Sequence, residues 1–255
     1  MEYEKIRFEL ADGVARIVFA NPANHNAVDL RFTQEFADAA RRCEVAPDLR
    51  AVLVSAEGAM FSVGGDLRDF MAHRDRIRAH VREMTVNFHA AILTLNRLAA
   101  PVVAAVNGTA AGGGFSLVCM ADMAIAKRSA KFNVAYTRSG LTPDGGATFF
   151  LPRMIGLQRA FDLMATNPTL TADEALGLGI LARVVDDEHF DAEVEKLVAQ
   201  LARSPAGALG RLKRQLRASL TNSLEQQFEL EGAGIAEQAG DPATLAMLES
   251  FFKRK

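Results

Sequence analysis

The sequence predicts an α/β protein in which a mixed body is followed by a helical tail. Up to about Thr171, short apolar runs typical of buried strands alternate with amphipathic helical segments, a pattern that indicates βα units and largely parallel strands. Beyond Thr171 the periodicity is helical almost throughout. We therefore predict a core domain over residues 1–200 and a C-terminal helical region over residues 201–255.

The N-terminal elements follow from alternation and from a helix cap. Residues 5–19 alternate between apolar and polar around Asp12-Gly13, a favoured turn pair, which predicts a β-hairpin. Residues 29–45 carry apolar side chains at helical spacing after Asp29, whose short carboxylate suits an N-cap. The further predicted elements are strands at 51–55, 102–106 and 182–185 and helices at 73–98, 190–202, 206–220, 223–239 and 242–252.

Composition bounds the possible partners and location. With 255 residues, 49% of them hydrophobic, the chain can bury a sizeable core. Its net charge of −2, from 29 basic and 31 acidic residues, gives no global attraction to nucleic acid or to an anionic membrane. No apolar run reaches the roughly 20 residues of a membrane span, and the first residues lack the features of a signal peptide. We expect a cytoplasmic protein.

The cysteines and histidines do not indicate a metal site. Cys43 and Cys119 lie far apart inside apolar stretches, which favours reduced, buried thiols over a disulfide or a nucleophile. The histidines lack the spacing of a metal-binding helix, and neither His73 with His80 nor His89 forms such a motif. We predict that the protein binds no metal.

Two glycine-rich loops each follow a predicted buried strand, at residues 59–67 and 106–116. Glycine lets a ligand approach the main chain, so two such loops can direct two N–H groups at one oxygen and form an oxyanion hole. Each loop taken alone is more typical of tight packing or a turn than of a binding site. A dinucleotide-binding loop is excluded because Leu117 stands where its third glycine belongs, and a phosphate loop is excluded because no Gly-Lys-Ser/Thr follows.

Seven segments, in order along the chain, carry recognisable motifs: Gly13–Ile17, Asn21-Pro22 with Asn26-Ala27, Phe61–Leu67, Pro101–Gly108, Ala111–Gly114, Ala121-Asp122 and Gly140–Gly146. Together they resemble the motifs of the enoyl-CoA hydratase/isomerase (crotonase) superfamily. The resemblance implies a crotonase-type spiral of ββα units and a C-terminal helical region that assembles trimers or paired trimers. It also implies an acyl-CoA substrate, with no cofactor besides the coenzyme A of that substrate.

By this resemblance, the N–H groups of Gly65 and Gly113 hold the thioester oxygen. Charge accumulates on that oxygen when a proton leaves the adjacent carbon, so fixed donors stabilise the transition state more than the ground state. Two of the residues implied to contact substrate could instead have purely structural roles: Asp66 as a helix cap and His25 as an exposed loop residue. The implied substrate-binding set is His25, Ala27, Ser62, Val63, Gly64, Asp66, Leu67, Ser116, Tyr136, Phe251 and Lys253.

The tail of the chain leaves the coenzyme A contact open. Phe251-Phe252 followed by Lys253, Arg254 and Lys255 resembles an aromatic and basic motif that meets the coenzyme A of a neighbouring subunit. The register does not choose among the three basic residues, and a charged, fraying terminus is the alternative.

The residues that hydratases of this superfamily use are missing. Their two glutamates fall at positions occupied here by Ser116 and Tyr136, which are neutral and poor bases at ordinary pH. A standard hydration mechanism is therefore unsupported. Ser116 and Tyr136 either transfer protons with an unseen partner or simply line the pocket.

Asp144 remains as the candidate acid/base group. In Leu141–Phe150 it lies between a proline and two glycines, which suits either a cap of the following helix or a catalytic carboxylate. The segment resembles isomerases of the superfamily, most of all the phenylacetate-pathway epoxyphenylacetyl-CoA isomerase branch. One carboxylate suffices to move a proton between two carbons. We expect an acyl-CoA isomerase that shifts a double bond or opens a ring; the alternatives are a hydratase or thioester hydrolase using Tyr136 or Asp69, and a catalytically weak CoA-binding protein.

Overall fold

The structure is a computed structural model that describes residues 2–253 of the chain. This part of the chain forms ten strands and eleven α-helices. The strands are β1 (Ile6–Ala11), β2 (Val14–Phe19), β3 (Ala51–Ala56), β4 (Met60–Ser62), β5 (Val102–Val106), β6 (Thr109–Ala111), β7 (Met123–Lys127), β8 (Lys131–Asn133), β9 (Leu170–Thr171) and β10 (Arg183–Val185). The helices are α1 (Leu30–Glu44), α2 (Leu67–Ala72), α3 (Ile77–Arg97), α4 (Gly113–Met120), α5 (Ala147–Ile155), α6 (Leu157–Thr166), α7 (Ala172–Gly177), α8 (Phe190–Arg203), α9 (Ala206–Ala218), α10 (Leu224–Ala239) and α11 (Pro242–Lys253).

The strands form two sheets. The larger has the order β1-β2-β3-β5-β7-β10, in which β1 and β2 are antiparallel and the other neighbours are parallel. The smaller has the order β4-β6-β8-β9, with only its last pair antiparallel. The predicted mixed α/β class with a helical C-terminal region is confirmed. The strands β4 and β6 lie within the two predicted glycine-rich loops and were not predicted, because strands of three residues are too short to show alternation.

The predicted hairpin and the predicted cap of α1 are both confirmed. Asp12 and Gly13 join β1 to β2 with φ values of 51° and 75°, as a two-residue turn with both central residues in the left-handed region requires. Asp29 caps α1 by accepting a hydrogen bond of 2.7 Å from the Phe32 N–H. This helix packs against α3, and its Phe32 and Phe36 join Phe19 in an aromatic cluster inside the core.

The helix predicted at 73–98 is shorter than expected. It begins at Ile77, and the separate helix α2 precedes it. Asp66 starts α2 by accepting hydrogen bonds from the N–H groups of Arg68 and Asp69. The chain then turns at His73 before α3 begins. The helix α2, which Asp66 caps, is therefore an additional element that the periodicity did not predict.

A buried lysine fastens the C-terminal region to the core. Lys213 of α9 donates to the carbonyl oxygens of Leu95 and Ala100, at 3.2 and 3.1 Å, and its Nζ lies 2.7 Å from Asp122 Oδ2. Arg217, one turn further along α9, contacts the other oxygen of Asp122 at 2.7 Å. The predicted boundary near residue 200 stays a prediction. No helix among residues 2–253 is both long and apolar enough to cross a membrane.

Candidate active site

The two glycine loops meet through their main chains. Gly64, which follows β4, has a φ of +84°, and a Cβ at this position would lie 2.8 Å from both the Gly113 nitrogen and the Ala111 oxygen. A Cβ on Gly114 would lie 2.5 Å from the Ser62 oxygen. Only residues without a side chain allow this approach, which explains why both loops are rich in glycine.

The N–H groups of Gly65 and Gly113 are free to bind a ligand. Val28 donates to the Gly64 oxygen and accepts from the Asp66 N–H, a parallel bridge that turns the N–H of Gly65 away from Val28. Gly113 is the first residue of α4, so its N–H has no partner inside the helix. Within residues 2–253 neither N–H has a protein acceptor, and both glycines line the same cavity.

This cavity has a volume of about 260 Å³ and mostly apolar walls. Asp144 is the only carboxylate that lines it in the described part of the chain. A carboxylate in such surroundings would meet a bound ligand with few competing polar contacts. The principal apolar wall residues are Leu67, Phe70, Val81, Met84, Phe88 and Leu141.

Asp144 is paired with a histidine that the sequence analysis considered only as a possible metal ligand. His89 of α3 places its Nε2 2.6 Å from Asp144 Oδ1. The side chains of His89 and Asp144 are 41% and 32% exposed, so solvent and substrate can reach the pair. Val81 and Thr85 line the cavity at four-residue spacing and His89 continues that row, a pattern that would have pointed to this residue.

Asp144 does not cap the following helix. The N-cap of α5 is Gly146, and no side chain makes a capping hydrogen bond there. Gly145 and Gly146 have φ values of 61° and 79°, which carry the chain into α5 and leave the Asp144 carboxylate on the cavity side. The cap suggested by the sequence is therefore wrong.

Ser116 and Tyr136 lie against the loop of Asp144. The Ser116 Oγ and the Tyr136 hydroxyl are 2.8 Å apart, and both contact the main-chain oxygen of Asp144. Tyr136 lines the cavity, whereas Ser116 is fully buried behind it and does not. Burial raises the pKa of Tyr136 well above its ordinary value, so the phenol remains protonated.

Several residues implied to bind substrate make structural contacts in the loops. Asp66 caps α2 and accepts a hydrogen bond of 2.7 Å from Asn24 Nδ2. Ser62 is buried, and its Oγ donates to the Asn26 oxygen and accepts from the Gly64 N–H. His25 has a left-handed backbone at the end of a short 3₁₀ turn.

The other implied substrate contacts divide by location. Val63 and Leu67 line the cavity beside the glycine pair. The buried Ala27 lies in the loop before α1. Phe251 and Lys253 lie on α11 and do not line the cavity, while Arg254 and Lys255 fall outside the described residues.

A second cluster brings together Asp69, His73 and His80. Their nearest ligand atoms all lie within 4.8 Å of one another, which makes this the group of described residues that could hold a metal ion. His80 Nε2 lies 2.6 Å from Asp69 Oδ2, and the two imidazole rings stack at 3.8 Å. These contacts tie α2 to α3, and they engage Asp69 away from the cavity. The expected absence of a metal stays a prediction.

Comparison with known proteins places the chain in a family. Residues 9–240 match the family model described as Enoyl-CoA hydratase/isomerase. A 4-chlorobenzoyl coenzyme A dehalogenase-2 of an Arthrobacter species is 34% identical over 96% of this chain and 90% of that protein. The 1,2-epoxyphenylacetyl-CoA isomerase of Escherichia coli K12 is 32% identical over 89% of this chain and 87% of that protein.

A solved structure extends the likeness to the fold. The crystal structure of a putative Enoyl-CoA hydratase/isomerase from Mycobacterium abscessus superposes with a TM-score of 0.93 and 30% identity, over 98% of this chain and 97% of that one. This likeness confirms the predicted crotonase-type spiral. The chain therefore belongs to the enoyl-CoA hydratase/isomerase family.

Proposed function

We propose that the protein is an acyl-CoA isomerase in which Asp144 moves the proton. The observation that carries this proposal is the position of the Asp144 carboxylate, in the apolar cavity that Gly65 and Gly113 also line. The positions of the hydratase glutamates hold two neutral hydroxyls bonded to each other, which favours proton transfer between carbons over activation of water.

The reaction needs one carboxylate and two N–H donors. Asp144 takes a proton from the carbon next to the thioester carbonyl, the N–H groups of Gly65 and Gly113 stabilise the enolate oxygen, and the proton returns to a different carbon. Coenzyme A is part of the substrate, and we propose no further cofactor. The E. coli isomerase relative supports a ring-bearing acyl group among the substrates. We also propose assembly as a trimer or as paired trimers.

Double-bond migration in deuterated water tests this function. Incubation with 3-enoyl-CoA is expected to give 2-enoyl-CoA without gain of oxygen, and Asp144→Asn is expected to lower kcat by about a thousandfold or more. Hydration of 2-enoyl-CoA would support the hydratase alternative, and tight binding without turnover would support a CoA-binding role. Isomerisation that survives in Asp144→Asn would refute the proposed mechanism.

Hydrolytic dehalogenation of an aromatic thioester is the second candidate. The contact of 2.6 Å between His89 and Asp144 favours it, as does the 34% identity to an Arthrobacter 4-chlorobenzoyl coenzyme A dehalogenase. In such a reaction the Asp144 carboxylate attacks the ring carbon that bears the halogen, and halide leaves with the bonding electrons. Water, which loses a proton to His89, then attacks the aspartyl ester carbonyl and releases the hydroxyaryl thioester.

Isotope labelling separates the two candidates. With enzyme in excess over 4-chlorobenzoyl-CoA in oxygen-18 water, dehalogenation predicts chloride release and a first product that carries unlabelled oxygen from Asp144. The label then enters the Asp144 carboxylate and is detected in its peptide by mass spectrometry. Direct attack by water would label the first product, and the absence of chloride release would remove this candidate.

A further inference from the structure

The main-chain oxygen of Asp144 is contacted by three donors. The Ala147 N–H lies at 3.2 Å, the Ser116 Oγ at 2.8 Å and the Tyr136 hydroxyl at 3.2 Å. The two hydroxyl oxygens are themselves 2.8 Å apart, and each hydroxyl has a single proton. The arrangement with the shortest distances has Tyr136 donating to Ser116 and Ser116 donating to the carbonyl. Both hydroxyls therefore act on one main-chain group.

The loop around Asp144 packs closely against Ser116. A Cβ on Gly145 would lie 2.9 Å from Ser116 Cβ and 2.7 Å from the Phe88 ring. Gly145 and Gly146 both have positive φ values, so this part of the loop belongs to neither a strand nor a helix. Its position depends on contacts with neighbouring elements. Ser116 of α4 donates a hydrogen bond of 2.8 Å to its main chain, and His89 of α3 contacts the Asp144 carboxylate at 2.6 Å.

Neither hydroxyl is arranged to transfer a proton itself. Within the described chain, the polar partners of the two hydroxyls are each other and the main-chain oxygens of Gly112 and Asp144. Among residues 2–253, no carboxylate or imidazole is hydrogen-bonded to either hydroxyl. Burial raises the pKa of Tyr136 and keeps its phenol a neutral donor.

We propose that Ser116 and Tyr136 are positioning residues that fix the main chain of Asp144, while His89 fixes its carboxylate. The residue is thus held at its carbonyl from α4 and at its side chain from α3. This inference rests on the proposed reactive role of Asp144. It assigns a role to the two side chains that occupy the positions of the hydratase glutamates.

Kinetics of three variants test the proposal: Ser116→Ala, Tyr136→Phe and the double variant. Each single variant is expected to lower kcat by about ten- to a hundredfold with KM within about threefold, because small displacements of a reacting group slow the reaction without weakening binding. Tyr136 acts through Ser116, so the double variant is expected to be no slower than Ser116→Ala. Tyr3→Phe removes the only other tyrosine hydroxyl, far from the cavity, and is expected to keep wild-type kinetics.

A measurement without substrate separates this inference from the proposed function. Amide hydrogen exchange over residues 141–148 is expected to accelerate in Ser116→Ala and Tyr136→Phe, and to stay unchanged in Tyr3→Phe. Unchanged exchange together with unchanged kcat would overturn the inference, as would additive losses with a raised KM, which indicate direct contact with substrate. Turnover that survives in Asp144→Asn while exchange still accelerates would refute the function and leave the positioning contacts intact.

Discussion

Asp144 and His89 lie on elements far apart in sequence, and the residues around one of them do not indicate that the other is its partner. The pair joins residues separated by 55 positions, so no local pattern could show it. What the sequence did offer was the identity of Asp144 as a carboxylate in a family position. The four-residue spacing along α3 would also have predicted His89 as a site residue, if that face of the helix had been known to line the cavity.

Replacement of His89 by glutamine is expected to lower kcat by about tenfold or more, with little change in KM, because the Asp144 carboxylate loses the partner that orients it. The measurement is steady-state turnover of 3-enoyl-CoA. His189→Gln changes an exposed histidine in a short 3₁₀ turn and is the matched control. Equal kcat values for the two variants would exclude a role for His89 in this reaction.

Replacement of Gly64 by alanine is expected to force the two glycine loops apart. The new Cβ would lie 2.8 Å from two main-chain atoms at a φ of +84°, which is strained for any residue with a side chain. We expect a lower melting temperature and loss of turnover. Gly177→Ala is the control, since a Cβ there meets nothing within 4 Å and its φ is not positive. Wild-type turnover in Gly64→Ala would contradict the close contact of the loops.

At the level of elements, one buried glutamate joins α1 to the first strand. Glu35 accepts hydrogen bonds from the N–H groups of Glu4, Lys5 and Ile6 and from Arg31 Nε, at distances of 2.6 to 3.0 Å. Its side chain has no exposed surface. This role could not be predicted, because a glutamate in an amphipathic helix normally lies on the solvent-exposed face.

Truncation of Glu35 to alanine is expected to lower the free energy of unfolding by about 3 kcal/mol, since three main-chain N–H groups lose their acceptor and Arg31 loses its partner. Urea denaturation measures the change. Glu44→Ala, at an exposed position of the same helix, should change stability by less than about 0.5 kcal/mol. Equal effects of the two substitutions would contradict the structural role of Glu35.

Elements defined by local chemistry could be predicted, and those defined by tertiary contact could not. The hairpin, α1 and the buried strands β3 and β5 follow from turn residues, a cap and apolar runs. The helix α2 and the second sheet escaped prediction. Both depend on where the glycine loops pack, which the order of residues does not reveal.

For the whole molecule, ionisation of buried acids predicts a loss of stability at alkaline pH. Burial raises the pKa of Cys43 and Tyr3 to about 12 and raises the pKa of Cys119 and Tyr136 further above their ordinary values. These groups favour the folded state fully below their unfolded pKa values, and that contribution is lost as pH rises through the folded ones. Burial lowers the pKa of Lys213, which acts in the opposite direction.

The two thiols and two phenols outweigh the single lysine, so we expect the free energy of unfolding to decrease between about pH 8 and pH 11. Urea denaturation across this range is the measurement. Tyr3→Phe removes one of the four contributions and is expected to reduce the decrease. A free energy of unfolding that rises with pH over this range would contradict the assigned burial of the thiols and phenols.

The outer face of α5 and α6 predicts self-association. Leu157 and Phe161, four residues apart on α6, are 77% and 72% exposed, and Phe149 and Met154 of α5 are also exposed. If three chains of 27.6 kDa assemble, light scattering should give a mass of about 83 kDa, or about twice that for paired trimers.

Introducing charge on this face tests which residues assemble the protein. Leu157→Glu with Phe161→Glu is expected to lower the mass toward that of one chain, because burying either carboxylate at an interface is costly. Val45→Glu, at an isolated exposed position after α1, is the control. A wild-type protein of about 28 kDa would exclude the proposed assembly.

The contact between Gly64 and Gly113 has a consequence for how this scaffold can change its chemistry. The two glycine loops meet main chain against main chain, at Gly64 with Ala111 and Gly113. The N–H groups that we propose to bind the thioester oxygen thus belong to a different part of the site from the side chains that we propose to react. A dehalogenase and an epoxide-ring isomerase can share about a third of their residues with this chain. New activities can therefore be sought by substitution at positions 89, 116, 136 and 144, while the proposed donors, the N–H groups of Gly65 and Gly113, are kept.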